Sequence, residues 1–128
     1  MEAFHGTAEI VIDGEHLTLE DVYAVARQGT KVRLSPDCFE QIDRSRALVE
    51  KILAEGRRVY GISTGFGEFS KISIGREQSG QLQENLILSH CVAVGDPLSE
   101  DVVRAMMLLR ANALSKGFSG IRRELIQC

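Results

Sequence analysis

The 128-residue chain has ordinary globular composition, 44% hydrophobic and 26% charged, with 15 Lys+Arg against 18 Asp+Glu for a net charge of -3, so it holds about one small domain with a modest core. The charge balance excludes a nucleic-acid binder, because the basic residues gather only in the pairs Arg57-Arg58 and Arg122-Arg123 and leave no stripe to release phosphate counterions. No stretch approaches the roughly 18 apolar residues of a membrane span, Met1 to Gly14 lack a signal-peptide pattern, and Cys38, Cys91 and Cys128 lack metal-ligand spacing, which leads us to expect free thiols in a reducing cytoplasm and no metal.

In chain order, Glu9-Ile-Val-Ile-Asp13-Gly14-Glu-His-Leu17 predicts a small β-hairpin over about residues 8–18, since Asp-Gly favours the positive φ angles of a tight turn between two short apolar runs. Thr18 then caps a helix, with acidic residues near its positive end, that runs to about Gly29. Lys31 to Leu34 add a short strand. Ser35-Pro36 start the next helix, a capping side chain followed by a residue that needs no amide partner. Phe39, Ile42, Val49, Ile52 and Leu53 recur at helical spacing until Gly56.

From Val59 to Gly75 the composition turns to glycine, serine and threonine, and a loop of that length in a compact protein is usually functional or disordered. Helical spacing returns from Glu77 to about Val94, where Leu82, Leu86 and His90 lie four apart and place His90 on the buried side. Pro97-Leu-Ser99-Glu-Asp101 begin another helix, whose Val102, Val103, Met106, Leu108, Leu109 and Ala113 make a broad apolar surface before Lys116-Gly117. A helix that apolar is expected deep in a bundle. From Ser119 a last pattern begins at Ile121, Leu125 and Ile126 and stops at Cys128 with no Gly, Asn or Pro as a helix exit, so the chain reads as truncated.

Tyr60-Gly61-Ile62-Ser63-Thr64-Gly65-Phe66-Gly67 is the most informative stretch. It is not a phosphate cradle: a P-loop needs Lys-Ser/Thr after its last glycine, whereas Glu68-Phe69 follow Gly67, and the spacing is not a dinucleotide fingerprint. Two readings of the loop stand side by side. It is a surface loop whose tyrosine packs by chance, or a mobile loop that closes over a substrate beside Tyr60. A tyrosine acting as a base must ionise well below its usual pKa of about 10, which requires nearby positive charge, hydrogen-bond donors or a helix N-terminus. His90 likewise is either a satisfied core histidine or a polar anchor aimed into a pocket between helices.

Three blocks together resemble the histidine/phenylalanine/tyrosine ammonia-lyases. Tyr60 to Gly67 is similar to that family's Tyr-Gly-(Ile/Val)-Asn-Thr-Gly-Phe-Gly loop, with Ser63 standing where asparagine is usual. Leu82-Gln-Glu-Asn-Leu-Ile-Leu-Ser-His90 is similar to its Leu-Gln-x-x-Leu-x-x-Ser-His helix, and Arg110 to Arg123 resemble the block that follows. The resemblance covers essentially all of residues 1–128 and implies the N-terminal segment of a mainly α, fumarase/ammonia-lyase-like helical fold. It further implies an enzyme that removes ammonia from an amino-acid substrate, with Tyr60 as the base and Gly61, Ser63, Thr64, Gly65, Phe66 and Gly67 as the loop beside it. The Ser89-His90 pair resembles members acting on histidine, for which the product is trans-urocanate and His90 is the substrate contact; polar matching in a buried pocket discriminates by orders of magnitude.

The family's cofactor is a methylidene-imidazolone made autocatalytically from Ala-Ser-Gly. That tripeptide occurs nowhere in the 128 residues, where the nearest matches are Gln78-Ser-Gly80 and Phe118-Ser-Gly120, so the chain alone is expected to be inactive. The resemblance also implies a homotetramer, and hence apolar surface exposed on this segment by itself. The alternatives are a phenylalanine or tyrosine ammonia-lyase, an aminomutase sharing the electrophile, or a non-catalytic binding or assembly module.

Overall fold

A computed structural model describes residues 9–65 and 79–127. Its elements in order are β1 (Ile10–Ile12), α1 (Leu19–Gln28), β2 (Val32–Leu34), α2 (Asp37–Ala54), α3 (Ser79–His90), α4 (Glu100–Ser115) and α5 (Glu124–Gln127). The fold is mainly helical, as the sequence predicts. The chain divides into two compact units, one made of Met1–Arg46 with Pro97–Cys128 and the other of Ala47–Asp96.

The first unit corrects the hairpin. β1 pairs with β2, and the pairing is parallel, with Ile10 opposite Val32, Val11 opposite Arg33 and Ile12 opposite Leu34. Asp13-Gly14 does turn the chain, but not back along β1. The Asp13 carboxylate accepts the amides of Glu15 at 2.8 Å and His16 at 2.9 Å, while the Gly14 amide donates to Asn112 Oδ1 at 2.9 Å. A returning strand would have needed those amides for its own ladder. Asp13 instead leads into the capping box of α1, where the Thr18 side chain accepts from the Asp21 amide and the Asp21 carboxylate from the Thr18 amide. α1 is thus the crossover that a parallel pair requires, and it ends at Gly29 in the left-handed conformation.

α1 packs on α4, with Arg27 reaching Asp101 at 2.7 Å. The core of this unit comprises Ile12, Ala26, Cys38, Ile42, Leu108 and Leu114. Where α4 ends, Gly117 is required twice over. Its φ is +71°, and a Cβ there would lie 2.8 Å from the backbone carbonyl carbon of Gln41, so only glycine lets the chain pass α2 at that distance. Beyond it the Gly120 amide donates to Ser45 Oγ at 2.9 Å. Arg123 pairs with Asp43 and lies 4.6 Å from the centre of the Phe39 ring. These contacts hold α5 to the first part of α2.

α4 is less enclosed than its composition predicts. Leu108 and Leu114 are buried, but Val102, Val103, Met106, Met107 and Leu109 are exposed. A helix apolar on most faces needs neighbours on most faces, and the described residues cover only one stripe. Among those residues, no helix is long and apolar enough to cross a membrane.

The second unit holds the end of α2, with Ile52 buried, the segment up to Gly65, and α3. α3 is shorter at its C-terminal end than the sequence predicts, since residues 91–94 are not helical.

Candidate active site

Val59 opens a tight turn: its carbonyl accepts the amides of Ile62 at 3.1 Å and Ser63 at 3.0 Å. Gly61 has φ +73°, a left-handed conformation that a side chain would disfavour, which accounts for a glycine directly after Tyr60. The Ser63 hydroxyl completes the turn from below. It accepts the Val59 amide at 2.9 Å and donates to the Arg57 carbonyl at 2.5 Å. Ser63 and Thr64 are buried, Thr64 with its hydroxyl on the Gly65 carbonyl at 3.0 Å, whereas Tyr60 is 63% exposed. The turn therefore joins an exposed Tyr60 to the buried, hydrogen-bonded Ser63 and Thr64. Phe66 and Gly67 lie outside the described residues.

His90 is the last residue of α3. The expectation that it lies on the buried side is corrected: Leu82 and Leu86 are half-buried, but His90 is exposed along with Ile87 and Leu88. Fourfold spacing put His90 in line with the two leucines, yet the described residues supply no cover at that end of the helix. The ring is still oriented. His90 Nδ1 lies 2.9 Å from the Leu86 carbonyl oxygen and 3.0 Å from Ser89 Oγ, and the Ser89 hydroxyl itself donates to the Leu86 carbonyl at 3.0 Å. A carbonyl only accepts, so Nδ1 carries the proton of the neutral ring and Nε2 is left as an acceptor.

Sequence reasoning singled out Tyr60, Ser63 and His90 but missed their backbone partners, the Arg57 carbonyl, the Val59 amide and the Leu86 carbonyl. A signal was present, since Ser63 and Ser89 are of the type that bonds backbone a few residues away. Among the described residues no group of three or more His, Cys, Asp or Glu could hold a metal ion.

Residues 17–128 match the family model described as aromatic amino acid lyase. The chain belongs to that family. It is 56% identical over 119 residues to a histidine ammonia-lyase of Caldanaerobacter subterraneus subsp. tengcongensis, covering 93% of this chain and 23% of that one. Among solved structures it is similar to the histidine ammonia-lyase of Trypanosoma cruzi, with a TM-score of 0.84 and 39% identity over 94% of this chain and 23% of that chain. It is also similar to the tyrosine aminomutase of Streptomyces globisporus, with a TM-score of 0.88 and 32% identity over the same shares of the two chains. The chain thus spans about a quarter of the length of the curated relatives it matches. These family members differ in the reaction or substrate that their names carry, so the choice among them falls to the site.

Proposed function

We propose that this chain is part of a histidine ammonia-lyase, which converts L-histidine to trans-urocanate and ammonia, and that it contributes the base and a contact to the substrate ring. The observation that carries the choice of histidine is His90, whose Nδ1 lies 2.9 Å from the Leu86 carbonyl oxygen; the tautomer that donates to that carbonyl leaves Nε2 to accept. An acceptor there selects a substrate ring that offers an N–H, as imidazole does, over a phenyl ring that offers none; a site polar group left unpaired by the wrong substrate is what makes such discrimination large. The names of the similar proteins support the same choice.

In the reaction Tyr60 acts as the base and takes a proton from the β-carbon. The electron pair of that C–H bond becomes the new double bond, and the bond from the α-carbon to nitrogen breaks to release ammonia. The residues present suit proton transfer and ring recognition, but not the electrophile of the family, because Ala-Ser-Gly occurs nowhere in the 128 residues. In the family that group is a methylidene-imidazolone made from the tripeptide, which would supply the electrophile that makes the substrate amine a better leaving group. The same reading makes the protein a cytoplasmic homotetramer, and the apolar side chains exposed along α4 support association.

The test is ammonia release by the full-length product of the gene encoding this chain, supplied in turn with L-histidine, L-phenylalanine and L-tyrosine. Histidine should be the preferred substrate, and His90→Leu should raise KM for it by about tenfold or more. Unchanged histidine turnover in that variant would remove His90 from recognition. A β-amino acid formed without ammonia would favour the aminomutase reading, which the likeness to a tyrosine aminomutase supports. No turnover of any of the three would favour a binding module.

A further inference from the structure

We propose that Ser89 is a positioning residue for His90, fixing the ring with its proton on Nδ1 so that the site takes substrates whose ring offers an N–H; this rests on the reading of His90 as the contact to the substrate ring. Three groups in one turn of α3 close on each other. The Ser89 hydroxyl donates to the Leu86 carbonyl at 3.0 Å, and His90 Nδ1 lies 3.0 Å from that hydroxyl oxygen and 2.9 Å from the same carbonyl oxygen. A hydroxyl has one proton. Given to Leu86, it leaves only lone pairs facing His90, so both oxygens beside Nδ1 are acceptors. With the ring proton on Nδ1, both close approaches are attractive. With it on Nε2, a bare Nδ1 lone pair would face two acceptors, and Ser89 could answer it only by letting go of the carbonyl.

A neutral histidine ring in water prefers its proton on Nε2, so the opposite arrangement has to be held. A carbonyl four residues back is there for any histidine inside a helix; the hydroxyl is what this sequence adds. Nε2 is then an acceptor, which a substrate ring N–H satisfies and a ring without one does not.

The test uses the full-length product of the gene encoding this chain and two substrates of nearly equal shape, L-histidine and its thiazole analogue, in which sulfur replaces the ring N–H and the remaining nitrogen keeps its lone pair. The readout is the ratio of kcat/KM for the two, which a general loss of folded enzyme leaves unchanged. Ser89→Ala should lower that ratio by about fivefold, the order expected for one hydrogen bond, and Ser89→Thr, which keeps the hydroxyl, should restore it. In a His90→Leu background Ser89→Ala should have no further effect, because a residue that acts through another is silent once the other is gone. If Ser89→Ala does not fold, Ser89→Cys, a weak donor and weak acceptor, replaces it under the same criteria. A ratio unmoved by Ser89→Ala, no rescue by threonine, or an equal effect with and without His90 would overturn the proposal. Nitrogen NMR of the same protein labelled at histidine needs no turnover. His90, identified by the signals lost in His90→Leu, should carry hydrogen on Nδ1 when its ring is neutral, and Ser89→Ala should move that hydrogen toward Nε2; hydrogen already on Nε2 in the unaltered protein also overturns the proposal. The two ideas fail separately: if His90→Leu leaves the ratio unchanged, the recognition reading falls, while the NMR still judges Ser89 by itself.

Discussion

The two units are held by different kinds of contact. In the first, residues far apart in sequence tie the elements together: Gly14 to Asn112, Arg27 to Asp101, Lys116 to Glu15, Gly120 to Ser45 and Arg123 to Asp43. In the second, the bonds that shape the candidate site are local. Ser63 reaches back six residues to Arg57, and His90 reaches back four to Leu86. Long-range ties make a unit cooperative, because none of them forms until the chain has closed. Local ties set the direction of a side chain without contributing much to the stability of the whole. The scaffold is thus where substitutions should change folding, and the Tyr60 turn is where they should change presentation.

The strongest way to break that contrast is Gly117→Ala. Its Cβ would strike Gln41 at a backbone angle that disfavours side chains, and overpacking together with the strained angle should cost about 4 kcal/mol in urea unfolding. A loss under about 1 kcal/mol would mean that α2 and the end of α4 yield easily and that the first unit is less tightly tied than its contacts imply. Leu108→Ala, at a side chain 4% exposed, should cost about 3 kcal/mol through lost burial and the cavity left behind. Asn112→Ala removes the partner of the Gly14 amide and should cost about 1 kcal/mol, read most directly as faster exchange at Gly14.

On the other side of the comparison, Gly61→Ala would place a side chain at a left-handed backbone angle. It should cost about 1 kcal/mol and alter the Val59 to Ser63 amides rather than those of β1 and β2; changes spread over both would blur the division.

The smallest effect is one of pH. His16 lies 2.6 Å from the Asp13 carboxylate, and that hydrogen bond raises the His16 pKa above its usual 6.5. Asp13 is lowered from 3.8 by the same bond and by the two backbone amides it accepts. A raised histidine contributes stability that is complete below its unfolded pKa and fades as pH rises through the folded value. A lowered carboxylate contributes above its unfolded pKa and fades only as pH falls through the folded value. The pair therefore contributes most between pH 3.8 and 6.5. Proton NMR should find the His16 midpoint above 6.5, and Asp13→Asn should bring it back toward that value. His16 is exposed and Asp13 half-buried, so solvent screens the pair and the effect on overall stability is small.

Much of this was legible locally. Thr18 and Gly29 bound α1 as their side-chain and backbone chemistry requires, and Ser99 stands at the N-cap of α4. The motif around Tyr60 identified both the family and the loop to examine. Pairing was not legible: Asp13-Gly14 fits a hairpin or a turn into a helix equally well by composition, and the contact with Asn112, ninety-eight residues on, and the pairing of β1 with β2 favour the second. Burial along a helix was only partly legible, because spacing tells which residues share a face but not whether anything lies against it. That is why His90 aligns with Leu82 and Leu86 yet is exposed.

By itself, then, the sequence determined where most of the helices lie, the caps of α1 and the family, all properties of short stretches whose backbone and side-chain chemistry is nearly independent of the rest. Tertiary structure alone decided that β1 and β2 run parallel, that Gly117 passes against Gln41, and that the Gly14 amide finds Asn112. Each of these depends on which groups meet in space, and a hydrogen bond or a close contact exists only once the chain has brought its two partners together.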